Sequence, residues 1–229
     1  MKKTKGLLAG IIPDTHFPWA DKRALEIAIK KLHRDSTLVV QIGDLYDAYS
    51  ASRFPRTQNL MTPEEETQSA VLDACEMWAN IQHQCPHAKY VQLLGSHDER
   101  PFKRALERTP ELMHIVAPAF RKLYVFPGVK TVFEASDDYE AGGVVFTHGY
   151  LSRKGEHAAR VLMPVVRGHS HKGGVTWLRE GLWELDVGFL GNAKAPVFGY
   201  SSWKRAYQQT RGMGIIDDDG PRFIPIEPR

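Results

Sequence analysis

The sequence predicts an α/β protein, more narrowly an α+β sandwich in which two packed, mixed β-sheets are flanked by helices. In the first half of the chain, short apolar runs alternate with stretches of helical periodicity, which is typical of parallel β–α–β units. In the second half, short β-like runs follow one another through glycine-rich connections, which indicates a second, more antiparallel sheet. Because domains commonly hold roughly 100–200 residues, the 229 residues are expected to form a single domain over positions 1–229.

The first half opens with an apolar run of strand length, and a helical pattern with apolar side chains three or four positions apart follows it. Thr62-Pro63-Glu64-Glu65 is typical of a helix start, because threonine caps the first turn, proline fits it, and acids are favoured there. The predicted elements of this half are strands at 7–12, 38–42 and 89–94, a helix at 21–32, and a helix from Thr62 to about Gln84.

The second half contains no comparable alternation of strands and helices. Its apolar runs are short, and only one stretch between them has helical character. The predicted strands lie at 129–134, 143–147, 165–167, 175–179, 183–187 and 212–216, and the predicted helix lies around 152–161.

Composition excludes several classes of protein. The only two cysteines, Cys75 and Cys85, lie close to one predicted helix and cannot form a disulfide framework, so a reducing, cytoplasmic setting is expected. No run approaches the ~18 apolar residues that a membrane span requires. A net charge of +3 from 30 basic and 27 acidic residues is too balanced to indicate nucleic-acid binding through bulk electrostatics.

Five short motifs rich in aspartate and histidine follow predicted strands. In open α/β sheets, ligands gather at the carboxyl ends of the strands, so motifs far apart in sequence can meet there. The motifs are Asp14-Thr15-His16, Gly43-Asp44-Leu45-Tyr46-Asp47, Gly95-Ser96-His97-Asp98, Thr147-His148-Gly149 and Gly168-His169-Ser170-His171.

These residue types in this pattern indicate metal binding. Imidazoles together with carboxylates suit divalent Mn, Fe, Zn or Ni better than Mg or Ca. Alternate residues of extended backbone point to the same side, so Asp-x-His and His-x-His pairs can chelate. The set has too many donors for one ion, and an aspartate can bridge two ions about 3.5–4 Å apart, as in phosphoryl displacement. Any one motif alone has a simpler explanation as a turn or a hydrogen-bonded histidine, but the joint pattern is hard to obtain by chance.

The order D-x-H, GD-x-x-D, G-x-H-D, H and GH-x-H resembles the calcineurin-like metallophosphoesterase family. The C-terminal part, with Gly188-Phe189-Leu190-Gly191-Asn192 and with Trp203 before Arg211-Gly212-Met213-Gly214, resembles small phage- and prophage-type members of that family. This second similarity is much less specific than the motif order.

The resemblance implies two divalent ions, with manganese the first candidate and iron, zinc or nickel the alternatives. One ion is expected on Asp14, His16, Asp44 and His171. The other is expected on Asp44, Ser96, His148 and His169, with Asp44 as the bridge. A hydroxide between the ions is expected to attack phosphorus, while His97, oriented by Asp98, acts as general acid.

Ser96 departs from the family pattern, which has asparagine at this position. A serine hydroxyl is shorter and a poorer metal ligand than an amide carbonyl, so a weaker second ion site is expected. Three interpretations are open: a natural variant, an introduced inactivating change, or a degenerate enzyme. The third is disfavoured, because the other ligand positions are intact.

Asp47 is expected either to hydrogen-bond ligand histidines or to cap the next segment. Five basic residues flank the second and third motifs and could clamp phosphate, or form only a solvated basic face: Arg53, Arg56, Arg100, Lys103 and Arg104.

The sequence therefore predicts a metal-dependent phosphoesterase for a phosphomonoester or phosphodiester. The alternatives are a weak or inactive module that binds metal or phosphate, and a nuclease acting on DNA. The expected partner is a phosphorylated substrate, which includes nucleotides and nucleic acids, and no membrane partner is expected.

Overall fold

Two β-sheets pack against each other in the computed structural model, which describes residues 6–53, 61–133, 138–151, 153–198 and 209–227. In chain order the elements are β1 (Ala9–Ile12), α1 (Lys22–Lys31), β2 (Leu38–Gln41), α2 (Pro63–Gln84), β3 (Lys89–Leu93), α3 (Arg100–Arg108), α4 (Met113–Lys122), β4 (Val129–Val132), β5 (Tyr139–Ala141), β6 (Val144–Thr147), α5 (Glu156–Val161), β7 (Val165–Arg167), β8 (Gly173–Arg179), β9 (Leu182–Val187), β10 (Gly212–Asp217) and β11 (Gly220–Pro225).

The first sheet has the strand order β11-β10-β1-β2-β3-β4. Strands β1 to β4 are parallel, while β10 runs antiparallel to both β1 and β11. The parallel strands β1 and β2 are buried along their whole length, which explains why they are continuous apolar runs in the sequence.

The second sheet has the order β5-β6-β7-β9-β8. Its two central pairs, β6 with β7 and β7 with β9, are parallel, and its two edge pairs are antiparallel. Two of its four described strand pairs are thus antiparallel, against two of five in the first sheet, so the second sheet is mixed and, as expected, the more antiparallel of the two. The assignment of the predicted strands at 129–134 and 212–216 to this sheet is wrong, because β4 and β10 pair within the first sheet.

Helices cover the outer faces of both sheets. Apolar side chains of α1 and α2 pack on the first sheet around Ile12 and Val39. The short helix α5 packs on the second sheet through Ala158. Between the sheets lies a separate core that includes Val40 and Phe146. The result is the predicted α/β arrangement of two mixed sheets flanked by helices.

Side-chain caps explain where helices α1 and α2 begin. Asp21 caps α1, where its side chain accepts a hydrogen bond of 3.0 Å from the Ala24 amide. Thr62 caps α2, as the sequence predicts, and together with Glu65 it forms a reciprocal capping box. Helices α3 and α4 were not predicted, and none of their described residues is buried.

The predicted second-half strands correspond to β4 and to β6 through β10 with shifts of one or two residues, and the predicted helix corresponds to α5. Glu134, at the end of one predicted strand, and Ser152, at the start of the predicted helix, lie outside the described residues. Within the described ranges, no helix combines the length and the apolar character needed to cross a lipid bilayer.

Candidate metal centre

The five aspartate- and histidine-rich motifs meet at one edge of the sandwich. They occupy the loops that follow β1, β2, β3, β6 and β7, which are strands of the parallel parts of the two sheets. Because parallel strands end at the same edge, residues from both sheets converge there.

The first cluster contains Asp14, His16, Asp44 and His171, each offering one ligand atom, and these atoms lie within 4.8 Å of one another. His171 Nε2 is 3.3 Å from Asp14 Oδ2 and 3.1 Å from His16 Nε2. This set is the one that the sequence predicts for the first ion.

The second cluster contains Asp44, His148 and His169, again with ligand atoms within 4.8 Å. The two clusters share Asp44. One carboxylate oxygen, Asp44 Oδ1, accepts a hydrogen bond of 2.8 Å from the His97 amide. The other, Oδ2, is 3.3 Å from His148 Nε2 and 3.9 Å from His16 Nε2. Asp44 therefore lies between the clusters, as expected of a bridging ligand.

Several of the clustered residues have unusual backbone conformations. His16, Asp44, His169 and His171 have φ values of 53°, 48°, 67° and 55°, in the left-handed region that L-residues rarely occupy. Such strain costs roughly 1–3 kcal/mol per residue and is typical of functional sites.

Gly95 allows the close approach of the third motif to the second. A Cβ atom at this position would lie 2.2 Å from Asp44 Oδ1, well inside van der Waals contact. Any larger residue would displace Asp44 from between the two clusters.

The ring nitrogens that face away from the cluster are held by protein groups. His16 Nδ1 contacts Asp47 Oδ2 at 3.0 Å, and His148 Nδ1 donates to the Ile42 carbonyl at 3.1 Å. Such bonds fix the ring and leave the Nε2 lone pair directed at the centre. Asp47 therefore contacts a clustered histidine, in agreement with the first of its two predicted roles.

Two buried atoms in the clusters have no hydrogen-bond partner among the described residues. They are Asp14 Oδ1 and His148 Nε2. Because an unpaired buried polar atom is costly, cations bound in the two clusters would satisfy these atoms. The residues present therefore fit divalent ions, and buried aspartate and histidine groups within ligand distance can hold them.

The electrostatics of the centre favour ionised carboxylates. Burial alone would raise the pKa of Asp44, but His148 and His97 outweigh it and hold the pKa well below the usual range. Burial alone would lower the pKa of His148, but Asp44 and Asp14 raise it to about 10. Without a metal, a proton on His148 thus compensates the buried carboxylates, and metal binding displaces such protons.

The imidazole of His97 lies between the carboxylate of Asp47 and the guanidinium of Arg100. Its Nδ1 is 3.3 Å from Asp47 Oδ2, and its Nε2 is 2.7 Å from Arg100 Nη2. Burial lowers its pKa, but the carboxylates of Asp44 and Asp47 outweigh burial and raise it. Because a guanidinium only donates, the Arg100 contact requires an unprotonated Nε2. Protonation of that atom therefore requires movement of the Arg100 side chain.

Asp98 does not orient His97, so this expectation is wrong. The Asp98 carboxylate accepts hydrogen bonds from the backbone amides of Leu45, Tyr46 and Gly95, at 3.1, 2.8 and 2.8 Å. These donors turn the carboxylate away from the imidazole and tie the second motif to the third. Asp98 supports the loops, and Asp47 is the acid beside His97.

Ser96 is exposed and lines a small cavity with Arg53, Arg100, Lys103 and Arg104. Its predicted role as a poor ligand of the second ion stays a prediction. Arg56, one of the five basic residues named above, and Trp203 lie outside the described residues.

A buried ion network below His169 and His171 was missed. The fully buried Arg167 contacts Glu184 at 2.9 Å through Nε and Asp186 at 3.0 Å through Nη2. The hydroxyl of Ser170, between the two histidines, donates to Asp186. The sequence does indicate such a network. Glu184 and Asp186 alternate with apolar residues in a predicted strand, and acidic residues in a buried strand need a cationic partner.

Aromatic rings also pack on the clustered histidines, and sequence reasoning did not assign this role to them. Phe189 stacks on His171 with ring centroids 4.3 Å apart, and Phe198 meets the His16 ring edge-on at 5.3 Å. These contacts restrict the orientation of both imidazoles.

No protein-family model and no curated protein matches this chain. The function is therefore inferred from the geometry of the site.

Proposed function

We propose that this protein is a metal-dependent phosphoesterase with two divalent ions, built on the metallophosphoesterase fold. One observation carries the proposal: two clusters of ligand atoms, from buried and half-buried side chains, share the carboxylate of Asp44. A shared carboxylate is the means by which proteins hold two ions about 3.5–4 Å apart for phosphoryl transfer.

The donor set supports the choice of ion. Each cluster combines imidazole nitrogen with carboxylate oxygen, and no cysteine belongs to either. This mixture suits manganese, iron, zinc or nickel, with manganese as the first candidate. When bound, such ions supply Lewis acidity and lower the pKa of coordinated water.

The side chains of this protein have separate tasks in the proposed reaction. Asp14, His16 and His171 hold one ion, His148 and His169 hold the other, and Asp44 joins them. The guanidinium of Arg100 beside His97 binds phosphoryl oxygens. When Arg100 moves to the phosphate, His97 Nε2 takes up a proton that Asp47 and Asp44 stabilise. This proton is then available to the leaving group.

The test combines metal analysis with hydrolysis. The purified protein is analysed for bound metal, then assayed with p-nitrophenyl phosphate and bis-p-nitrophenyl phosphate, with added Mn²⁺ and after chelation. We expect hydrolysis of at least one substrate that chelation abolishes and Mn²⁺ restores.

The matched variants are Asp14→Ala in the first cluster and Asp35→Ala, whose side chain is 79% exposed. Only the first should lose metal and activity. Absence of both metal and turnover in the unmodified protein would contradict the proposal. Metal binding without turnover would instead support a metal- or phosphate-binding module.

A further inference from the structure

A second cavity lies beside the candidate metal centre, against α2, α3 and the end of α4. Its volume is about 630 Å³, which is within the ~300–1,000 Å³ range typical of small-molecule sites. We call it the aromatic cavity. Its apolar wall is formed by Phe17, Tyr46, Ala70, Ala105, Phe120 and Tyr124.

The loops that carry the clustered residues also form the wall of this cavity. Phe17 directly follows His16, and Tyr46 lies between Asp44 and Asp47 in the sequence. Tyr46 is held in place, because its hydroxyl donates a hydrogen bond of 2.7 Å to the Leu123 carbonyl. The position of the cavity is therefore fixed relative to the metal centre.

A smaller cavity of about 190 Å³ joins the two regions. It shares Ala51 and Arg104 with the aromatic cavity, and at its other end it reaches Ser96 and Arg100. Arg100 contacts His97, so the smaller cavity begins one side chain away from the imidazole, and the shared Arg104 connects it to the aromatic cavity.

The smaller cavity is basic. Four cationic side chains line it, and no acidic residue does so among the residues that the structure describes. Two of them form ion pairs with acids of the α3 region, Arg53 with Glu107 and Lys103 with Glu99. A phosphate bound at the metal centre would meet this cationic surface on one side.

The aromatic cavity has a different character. Its one buried acid, Glu66, accepts hydrogen bonds of 2.6 and 2.9 Å from the amides of Tyr49 and Ser50. Because these donors satisfy the carboxylate, Glu66 does not require a cation from a ligand. The rest of the wall combines aromatic and aliphatic side chains with hydroxyl groups and with Arg104 and Arg108. Apolar rings and guanidinium planes can both stack on a flat aromatic group, so this wall favours such a group.

We propose that the aromatic cavity binds the ester group of the substrate, and that this group carries an aromatic ring joined to the phosphate by a short connection. The inference rests on the proposed phosphoesterase function and adds a substrate class to it, the aromatic organophosphates. The phosphoryl group lies at the metal centre, the basic cavity contacts its oxygens, and the ring occupies the aromatic cavity.

The test compares the kcat/KM of phenyl phosphate with that of biphenyl-4-yl phosphate. The two phenols are leaving groups of similar quality, so a difference in kcat/KM reports binding of the second ring. We expect kcat/KM to be at least about tenfold higher for the biphenylyl ester, the lower end of discrimination by apolar pockets. The Ala105→Trp variant, which fills the cavity, should bring the ratio close to one.

The matched control is Leu106→Trp, on the exposed side of α3 and outside both cavity walls. It should keep the ratio of the unmodified protein. If Ala105→Trp fails to fold by circular dichroism, Thr67→Phe fills the same cavity from α2. Equal kcat/KM values for the two esters, or a preference that persists in the filled variant, would overturn the proposal.

A binding measurement separates this inference from the proposed function. Benzylphosphonate and 4-phenylbenzylphosphonate cannot be hydrolysed at the replaced ester bond, and calorimetry gives their affinities directly. If neither ester turns over but the larger phosphonate binds at least about tenfold more tightly, the phosphoesterase function fails while the aromatic subsite stands. Equal affinities of the two phosphonates would refute the subsite whatever the activity.

Discussion

Arg167→Met is expected to lower both the stability of the protein and its affinity for metal. Methionine has a similar length but no charge, so the variant removes the cation from a fully buried network. Two carboxylates lose a partner at once: Glu184, 2.9 Å away, and Asp186, 3.0 Å away. Breaking a buried ion pair from one side typically costs about 3–5 kcal/mol.

The two carboxylates contribute unequally to this loss. Glu184 keeps hydrogen bonds of 2.7, 2.9 and 3.2 Å from the amides of Gly155, His157 and Ala158, so its charge stays compensated. Asp186 keeps fewer donors, and burial already raises its pKa to about 6 against the lowering effect of Arg167. We therefore expect a loss of about 3 kcal/mol at pH 8, the lower end of the range for a broken buried pair.

The pH dependence of the loss has a definite sign. Removing Arg167 raises the pKa of Asp186 further above its unfolded value of 3.8, so the folded variant binds a proton that the unfolded chain releases. The stability of the variant therefore falls as pH rises through the folded pKa. The deficit relative to the unmodified protein should be largest at pH 8 and smaller at about pH 5.

Urea unfolding followed by circular dichroism at both pH values measures the deficit. Arg160→Met is the matched control, because Arg160 forms an exposed pair with Glu156 at 2.9 Å that should contribute less than about 1 kcal/mol. Since Ser170 links Asp186 to the loop of His169 and His171, metal affinity should fall about tenfold or more. A loss below about 1 kcal/mol at pH 8, or an equal loss at both pH values, would refute this reasoning.

Three further predictions concern the metal centre. Asp44→Ala should lose both ions, because both clusters use Asp44; elemental analysis that finds either ion at normal occupancy would disprove the bridging role. His97→Ala should slow the hydrolysis of alkyl phosphoesters by about 10²–10⁴-fold, the usual contribution of a general acid. It should slow p-nitrophenyl esters far less, because their leaving group needs little protonation. Equal slowing in steady-state assays would show that His97 only positions groups. Ser96→Asn should tighten the second ion in calorimetric titration and raise turnover at limiting Mn²⁺, with little change in the melting temperature of the metal-free protein. Unchanged affinity and turnover would show that the second site is not weakened.

The central strands and the location of the site could be predicted because each depends on a local pattern. Fully buried parallel strands are short apolar runs, as at β1 and β2. Polar residues directly after such runs must lie at the carboxyl edge of the sheet. The convergence of Asp14, Asp44 and His171 therefore follows from the order of strands and motifs alone.

The contacts within the site depend on long-range geometry that the sequence does not display. Asp98 is the neighbour of His97 in sequence, but its carboxylate turns to backbone amides more than 50 positions earlier. Asp47, on a different strand end, takes the place beside the imidazole. Sequence adjacency is a poor guide where a tight turn sets the direction of each side chain.

Helices α3 and α4 were missed for a different reason. Pro118 lies inside α4 and Pro110 lies between the two helices, so the helical pattern is interrupted after Arg108. Helix α3 is short and amphipathic, but no described side chain of either helix is buried, so their apolar residues do not mark a core-facing stripe. Strand β10 was detected but assigned to the wrong sheet, because the chain returns to the first sheet after completing the second.

That return has a consequence for how the protein is made. Strand β1 emerges from the ribosome before β10, so the edge that the two strands share cannot be covered until Gly212–Asp217 has been synthesised. The residues of the first cluster are also synthesised at different times, because 155 positions separate His16 from His171. At translation rates of about 5–20 residues per second, roughly 8–30 seconds pass between the two. During this interval the nascent chain holds part of the first cluster and an unpaired strand edge. The proposed two-ion site can therefore be completed only after His171 has emerged, while β8 to β11 still have to follow.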